Sequence, residues 1–227
     1  MTELTEALNR LDNALNQTAL AVVKRLQPGL TRAEIVQQTN SFSWELPPDI
    51  YALYQWYNGL AGTPGKLNLV EKLLRLKGRW HGELSGRENE LHLKLGDCRI
   101  IVKFLPLDYA LAGHRHLKLG RCLIDLLPIF ILSEGKKTFY GMIRLDVEKP
   151  VFYFADGTNV PPLLVTEDYL SKQIQYSSLT PVISFLIDIC QQASQPLVES
   201  QDQPGINSAD YELNPNQFDQ LYQLHRS

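Results

Sequence analysis

The 227-residue sequence has few cysteines, no excess of charge of one sign and no long hydrophobic run. Its three cysteines, Cys98, Cys122 and Cys190, lie far apart, and none belongs to a Cys-x-x-Cys pair. The sequence therefore contains neither a zinc-knuckle pattern nor a dithiol redox motif. We expect these side chains to be reduced thiols in the core of a cytoplasmic protein.

The balance of charge argues against nucleic acid as a general ligand. The chain has 22 basic and 25 acidic residues, which give a net charge of -3. A general nucleic-acid binder carries a basic excess or a basic stripe. A modest basic region at 66–87, which includes Trp80, leaves RNA binding or contact with an acidic lipid surface open as a remote alternative. We interpret this region as the charged face of a helix whose leucines are buried.

No segment has the pattern of a membrane span or a secretion signal. The N-terminal segment carries acidic side chains early and lacks a basic start followed by an apolar run. The most apolar run, residues 122–132, is interrupted by Asp125 and Pro128 and falls short of the roughly 20 apolar residues of a membrane span. The sequence therefore predicts a cytoplasmic protein that does not span a membrane.

Motifs that mark common catalytic sites are absent from the sequence. It has no Gly-x-Ser-x-Gly element, no Gly-x-Gly-x-x-Gly fingerprint and no phosphate-binding loop. His114 and His116 are the best candidates for metal ligands, because a strand would point both rings to one face. No carboxylate or cysteine cluster with ligand spacing accompanies them, so we interpret them as part of a solvated polar turn. We predict no catalytic residue, no metal site and no cofactor.

The first third of the sequence has the periodicity of helices. Apolar residues recur at helical spacing from Leu4 to Leu26, and Pro28-Gly29 is predicted to end this helix. Thr31 and Glu34 have the spacing of a capping box, which predicts the start of a second helix. Residues 67–77 are predicted to form a further short helix.

Residues 44–59 combine a helix start, an aromatic helical stretch and a helix stop. Pro48 suits a first helical turn because its missing N–H has no partner there, and Asp49 adds negative charge near the positive end of the helix dipole. Asn58-Gly59 is predicted to end the helix, since glycine tolerates the left-handed conformation. Four side chains at steps of three and four form the predicted buried face: Ile50, Leu53, Tyr54 and Tyr57.

After residue 90 the pattern changes to that of β-strands. Strands are predicted at 91–95, 99–104, 128–132, 138–145 and 151–154, with turns at 96–97, 134–136 and 146–150. Residues 107–116 are predicted to be a short helix or an irregular connection. Ser178 is predicted to cap a last core helix. This order predicts an α+β fold in which helices flank one mostly antiparallel sheet.

The composition also divides the chain into a domain and a tail. Residues 193–210 are rich in Gln, Ser, Pro, Asp and Gly, which predicts a flexible linker. Residues 211–227 form a short C-terminal segment that could contain a docking helix. The predicted domain therefore covers residues 1–192.

Four groups of residues form a recognisable pattern along the chain. The groups are Leu46–Ile50 with Tyr57–Gly59, Leu105–Leu107 with Ala110, Pro128–Phe130 with Gly135 and Tyr140-Gly141, and Ser177–Leu179 with Phe185-Leu186. In their order and spacing they resemble the SMI1/KNR4 family, also called the SUKH superfamily. The resemblance covers the family-like core at about 30–192, which an N-terminal helix precedes. The chain departs from the common family form at 60–97, which is longer and richer in lysine and leucine.

The resemblance implies a SUKH-like fold and a non-enzymatic module that binds another protein. Many bacterial members of the family resemble immunity proteins that neutralise toxins, often nucleases, and the acidic balance of this chain suits a basic toxin. Fungal members are linked to cell-wall synthesis and signalling. The alternative is a housekeeping regulatory or assembly scaffold, which the extra C-terminal segment favours because such tails often recruit partners. An enzyme is a more remote alternative.

Six residues of the aromatic segment are predicted to contact a partner: Trp44, Asp49, Tyr51, Trp56, Tyr57 and Asn58. Aromatic side chains with polar tips are enriched at binding hot spots, and Trp56 lies off the predicted buried face. The alternative is that most of these side chains pack in the core or between helices, because the helix must bury one face.

Overall fold

The computed structural model describes residues 2–18, 23–60, 91–95, 98–134, 137–156 and 165–192. The helices are α1 (Glu3–Thr18), α2 (Arg32–Thr39), α3 (Pro48–Trp56), α4 (Leu107–Leu119), α5 (Glu167–Ser171) and α6 (Thr180–Gln192). The strands are β1 (Leu26–Pro28), β2 (Tyr57–Leu60), β3 (Leu91–Leu95), β4 (Cys98–Phe104), β5 (Leu126–Glu134), β6 (Lys137–Arg144), β7 (Val151–Asp156) and β8 (Ile174–Tyr176). The predicted helix at 67–77, the turn residues 96–97 and 135–136, and the linker and C-terminal segment lie outside these ranges.

The larger sheet has six strands in the order β3-β4-β5-β6-β7-β8. This order follows the sequence, so each strand pairs with strands that directly precede or follow it. All of these neighbouring pairs are antiparallel. β1 and β2 form a separate antiparallel pair, in which Leu26 lies opposite Leu60. Helices and this sheet together confirm the predicted α+β fold with an antiparallel sheet.

The β5–β6 pair contains an irregularity that explains a proline in a central strand. The register shifts between Pro128 and Phe130, which is the position where a strand tolerates the missing N–H of proline. Gly141 lies opposite Phe130, and a Cβ atom at Gly141 would come within 3.2 Å of the Phe130 Cβ. The small residue therefore makes room for the aromatic ring.

The predicted start of α2 is confirmed. Thr31 Oγ1 accepts a hydrogen bond from the Glu34 backbone N–H at 3.2 Å, and Glu34 Oε2 accepts one from the Thr31 N–H at 2.7 Å. The two bonds satisfy two backbone donors that a helix N-terminus leaves free. The backbone bond from Thr31 also lowers the pKa of the Glu34 carboxyl.

The predicted extent of the first helix is wrong, because Leu26–Pro28 forms strand β1 instead of a last helical turn. β1 pairs with β2, and Leu30, two residues after the end of β1, donates its N–H to the Tyr54 carbonyl at 2.8 Å. The backbone groups of this segment are therefore satisfied by a distant part of the chain and not by a continued helix.

The end of the aromatic helix also differs from its prediction. α3 ends at Trp56, and Tyr57 is extended with φ −148° and ψ 146°, so Tyr57 leaves the predicted helical face. Gly59 has the expected left-handed conformation, with φ +73°, but it lies within β2. A Cβ atom there would approach the Leu105 carbonyl carbon to 2.7 Å. The glycine therefore permits close contact with another segment and does not cap the helix.

Other boundaries are corrected in the C-terminal half. Residues 107–116 belong to helix α4, which settles the alternative between a helix and an irregular connection. The last helix begins at Thr180, and the Leu179 carbonyl accepts the first helical bond, from Ile183. The N-cap is therefore Leu179, one residue after the predicted Ser178. α5 and β8 were not predicted, because both are too short to show a period.

Two apolar clusters hold the fold together. The larger one joins α1, α3 and α6 to the sheet, and α1 packs directly on α6. The smaller one lies where the end of α4 and helix α5 meet β5, β6 and β7, and it includes Cys122, Met142 and Leu170. Cys122 and Cys190 are buried and belong to no disulfide, as predicted. None of the helices in the described ranges has the length and apolarity to cross a bilayer.

Candidate functional site

All six residues predicted to contact a partner are half-buried. They belong to the segment that runs from Trp44 through α3 into β2, which packs between α1, α2 and the β4–α4 connection. Each of the six has a contact inside the domain that accounts for its position. The prediction that they also bind a partner remains a prediction.

Asp49 forms a contact that spans 130 residues of sequence. Its Oδ2 accepts a hydrogen bond from the backbone N–H of Leu179 at 3.0 Å. Leu179 is the N-cap of α6, so the carboxylate lies at the positive end of that helix dipole as well as in the first turn of α3. One side chain therefore joins the starts of two helices.

Asn58 and Tyr54 attach the aromatic segment to the connection between β4 and α4. Asn58 Oδ1 accepts a hydrogen bond from the Leu107 N–H at 2.9 Å, which satisfies a free donor at the start of α4. The buried Tyr54 hydroxyl donates to the Leu105 carbonyl at 3.2 Å. Burial raises the pKa of Tyr54, so the hydroxyl keeps its proton and remains a donor.

Trp44 belongs to an aromatic group around a buried histidine. Its ring stacks on Phe42 at 4.6 Å between centroids, and both rings contact His114 edge-on at 5.2 and 5.4 Å. The Arg115 guanidinium lies over the Phe42 ring, 5.2 Å from its centroid. Aromatic packing of this kind fixes the loop that precedes α3 against the middle of α4.

The structure corrects the interpretation of His114 and His116 as a solvated turn. His114 lies in α4 and is only 4% exposed, and its Nδ1 is 3.0 Å from the Leu126 carbonyl oxygen. Its Nε2 lies 3.7 Å from Asp125 Oδ1. Burial lowers the pKa of His114, which favours the neutral ring at neutral pH. Because the backbone of residues 107–119 is helical, the spacing that places two ligands on one face of a strand does not apply to this pair.

Tyr51, Trp56 and Tyr57 complete the segment. The Arg32 guanidinium lies over the Tyr51 ring at 4.9 Å, and the Trp56 ring meets the Tyr57 ring edge-on at 4.7 Å. The Tyr57 hydroxyl donates to Asp12 Oδ1 of α1 at 3.4 Å. Burial, followed by the negative charge of Asp12, raises the pKa of Tyr57. These contacts hold the three rings in defined positions while leaving part of each ring accessible.

Two observations on the described residues concern metal binding and nucleophilic chemistry. No group of three or more His, Cys, Asp or Glu side chains in these ranges has the geometry to hold a metal ion. Burial raises the pKa of Cys190 to about 12 and also raises that of Cys122, so both thiols are poor nucleophiles at neutral pH.

A small apolar cavity of about 40 Å³ lies between α1, α6 and the sheet. Its walls include Leu15, Trp56, Phe104, Leu186 and Cys190, and the other described residues around it are also apolar. Ligand sites usually combine an apolar wall with a few polar groups that orient the ligand. This cavity lacks such groups among its described lining residues, so we interpret it as a packing gap.

Sequence reasoning missed the ionic cluster of Arg144. The guanidinium donates to both carboxylate oxygens of Glu167 at 2.7 Å, and its Nε donates to Asp146 at 2.7 Å. The hydrogen bonds to Glu167 are the main reason that the pKa of Arg144 is raised. The cluster connects the end of β6 to the start of α5. In the sequence, Arg144 is simply a charged residue at the end of a predicted strand, and nothing near it indicates that Glu167 is its partner.

Comparison with known proteins finds no matching family model, no matching curated protein and no matching solved structure.

Proposed function

We propose that this domain is a non-enzymatic protein-binding module of the SMI1/KNR4 type. The observation that carries the proposal is that the four sequence groups of the resemblance contact one another directly. Asp49 of the first group binds the Leu179 N–H of the fourth, and Asn58 of the first group binds the Leu107 N–H of the second. The Leu105 N–H of the second group donates to the Ile129 carbonyl of the third at 2.9 Å.

Residues that share a family pattern because of a common fold are expected to hold one another in place. Residues that match a pattern by chance have no reason to meet across 130 positions of sequence. These contacts therefore support the resemblance, from which the binding function follows by analogy with the family.

The half-buried aromatic side chains provide a suitable binding surface. Arg32 holds the Tyr51 ring, and Asp12 holds the Tyr57 hydroxyl, so part of the rotamer freedom of both side chains is already lost in the free protein. A partner that packs on them meets a lower entropic cost than with mobile side chains. Aromatic residues set in this way are typical of binding hot spots.

The proposal is tested by affinity purification of the full chain from its native cell, followed by calorimetry with the recovered partner. We expect Tyr51→Ala to weaken binding about tenfold or more, as hot-spot truncations do. Val36→Ser is the matched control, because Val36 is an exposed apolar residue outside the aromatic segment. Equal affinities of the wild-type chain and the Tyr51→Ala variant would remove this surface from the proposal.

The immunity version of the function makes a separate prediction. If the partner is a basic toxin encoded nearby, co-expression should protect cells from it, and the complex should weaken as salt rises. The absence of a toxin-like neighbouring gene counts against this version. The scaffold alternative is distinguished by repeating the purification without residues 193–227, since an unchanged set of partners would exclude a role for this segment.

A further inference from the structure

The end of α4 carries the two most exposed large apolar side chains among the described residues. Leu119, at the last helical position, is 79% exposed, and Leu123, four residues later, is 88% exposed. Val36 is the next at 47%. A single exposed apolar residue is ordinary on a protein surface. Two exposed leucines four residues apart form a small apolar patch, and such patches are unfavourable in water unless something covers them. We call residues 119–123 the α4 tip.

The α4 tip has the hydrogen bonds of a Schellman motif. The Cys122 N–H donates to the Leu117 carbonyl and the Arg121 N–H donates to the Lys118 carbonyl, both at 3.0 Å. Leu117 and Cys122 are both buried in the smaller apolar cluster. The motif requires a left-handed residue between them, and Arg121 occupies that position with φ 68°.

Arginine is an unfavourable choice at this position. Glycine is the usual residue there because a side chain is strained at positive φ, and Arg121 is the one non-glycine residue with this conformation in the described ranges. Backbone strain that is retained at a surface position points to a role for the side chain itself. In the sequence, this strained residue lies between the two exposed leucines, Leu119 and Leu123.

The α4 tip is held rigidly. Lys118 Nζ donates to the Leu123 carbonyl at 3.1 Å and forms an ion pair with Asp125 Oδ1 at 2.8 Å. The side-chain Sγ of Cys122 contacts the Val165 carbonyl oxygen at 3.7 Å. The leucines therefore project from an ordered turn, which means that their exposure is a property of the fold.

The α4 tip itself carries a positive charge, that of Arg121, although the whole chain has a net charge of -3. The acidic groups that the neighbouring residues and elements bring close all form ion pairs. Asp125 pairs with Lys118, Asp146 and Glu167 share Arg144, and Asp168 pairs with Lys172. Arg121 forms no ion pair within the described residues.

We propose that the α4 tip inserts into the headgroup layer of an anionic lipid bilayer. Two projecting leucines need either a matching concave pocket or a deformable apolar medium, and a bilayer supplies the second without a preformed shape. Arg121 between them lies where lipid phosphates would meet its guanidinium. The contact is peripheral and shallow, because only two side chains enter the apolar layer.

The test is co-sedimentation of the full chain with vesicles of phosphatidylcholine and phosphatidylglycerol, compared with phosphatidylcholine alone. We expect binding to the anionic vesicles that weakens as salt rises. The double variant Leu119→Ser/Leu123→Ser should bind at least about tenfold more weakly, because each leucine contributes by burial. Arg121→Gly should bind about fivefold more weakly, which is the contribution of one cation near an anionic surface.

Matched controls separate this effect from general charge and hydrophobicity. Val36→Ser removes an exposed apolar side chain elsewhere, and Arg10→Ala removes a cation from the exposed face of α1, so both should bind like the wild-type chain. In a Leu123→Trp variant, the additional tryptophan emission should shift to the blue when anionic vesicles are added. Arg121→Gly must also remain at least as stable as the wild-type chain, since it relieves the strain.

Two outcomes overturn the proposal. The first is the absence of co-sedimentation at low ionic strength, or equal binding by the double serine variant. The second is a protein partner that is lost from the double serine variant while vesicles bind neither form, which assigns the α4 tip to a protein surface. Because Tyr51→Ala affects the aromatic segment and leaves the α4 tip intact, failure of one proposal does not imply failure of the other.

Discussion

Asp49 accepts a hydrogen bond from the Leu179 N–H, and its carboxylate is half-buried. This contact predicts that replacing Asp49 lowers the stability of the domain more than replacing an ordinary surface carboxylate. Asp49→Ala leaves the N-cap N–H of α6 without this acceptor and removes a negative charge from the start of two helices. Loss of a capping acceptor costs about 0.5–2 kcal/mol, and loss of the favourable charge at a helix N-terminus costs about 0.3–1 kcal/mol. We expect Asp49→Ala to lower the free energy of unfolding by about 2 kcal/mol, which corresponds to about 4–8 °C in Tm.

Asp49→Asn separates the hydrogen bond from the charge. The amide oxygen of asparagine can still accept the Leu179 N–H, so this variant should lose only the charge contribution, about 0.5–1 kcal/mol. If Asp49 acted only through the dipole of its own helix α3, both variants would lose the charge and would be destabilised equally. The difference between them therefore measures the long-range bond.

Urea unfolding followed by far-ultraviolet circular dichroism gives both values. Glu45→Ala is the matched control, because it removes an exposed carboxylate from the same segment and should change stability by less than about 0.5 kcal/mol. The reasoning is refuted if Asp49→Ala is no more destabilising than Glu45→Ala, or if alanine and asparagine at position 49 give the same stability.

Three further predictions concern the same segment and its contacts. Gly59→Ala should lower the free energy of unfolding by about 3 kcal/mol or more in urea, because alanine is strained in the left-handed conformation and its Cβ would collide with the Leu105 backbone. A decrease below about 1 kcal/mol would contradict this close approach. Tyr54→Phe should cost about 1 kcal/mol by thermal unfolding through loss of its bond to Leu105, whereas an unchanged Tm would show that the bond contributes nothing. Burial lowers the pKa of His114, so the unfolded chain takes up that proton first, and the free energy of unfolding should fall as pH drops below about 6.5. Urea unfolding at several pH values should show a smaller fall in His114→Asn, and parallel curves would exclude this histidine as the cause.

Local signals in the sequence predicted the elements that local chemistry determines. The capping box of Thr31 and Glu34 and the alternation of 91–95 each involve neighbouring residues, and both match the structure. The α+β class followed from the change of period after residue 90. Such features need no knowledge of distant partners.

Errors arose where a distant segment changes the local preference. Leu26–Pro28 continues the helical pattern of the first helix, but it forms a strand that pairs with β2. Tyr57 continues the apolar face of α3 in the sequence, but it is extended because it pairs with Pro28 in that same sheet. His114 resembles a solvated residue in sequence, but in the fold it packs against Phe42 and Trp44 and contacts the Leu126 carbonyl of β5. A single sequence carries no sign of such pairings.

The segment that the sequence singled out makes long-range contacts, but the roles of its residues in those contacts were not visible from the sequence. Asp49 and Asn58 each accept a hydrogen bond from the start of a later helix, at Leu179 and Leu107. Their short side chains were understood as local helix signals, which are common for these residue types. The positions of their partners depend on the whole sheet between them.

The packing of α1 on α6 has a consequence for folding during synthesis. The strands of the larger sheet each pair with a sequence neighbour, so they can associate in the order in which they are made. The apolar face of α1 packs on α3 and more extensively on α6, and the contact with α6 is complete only after residue 192 has left the ribosome. A nascent chain stalled within β7 should therefore expose this face and bind a chaperone, and the complete domain should not.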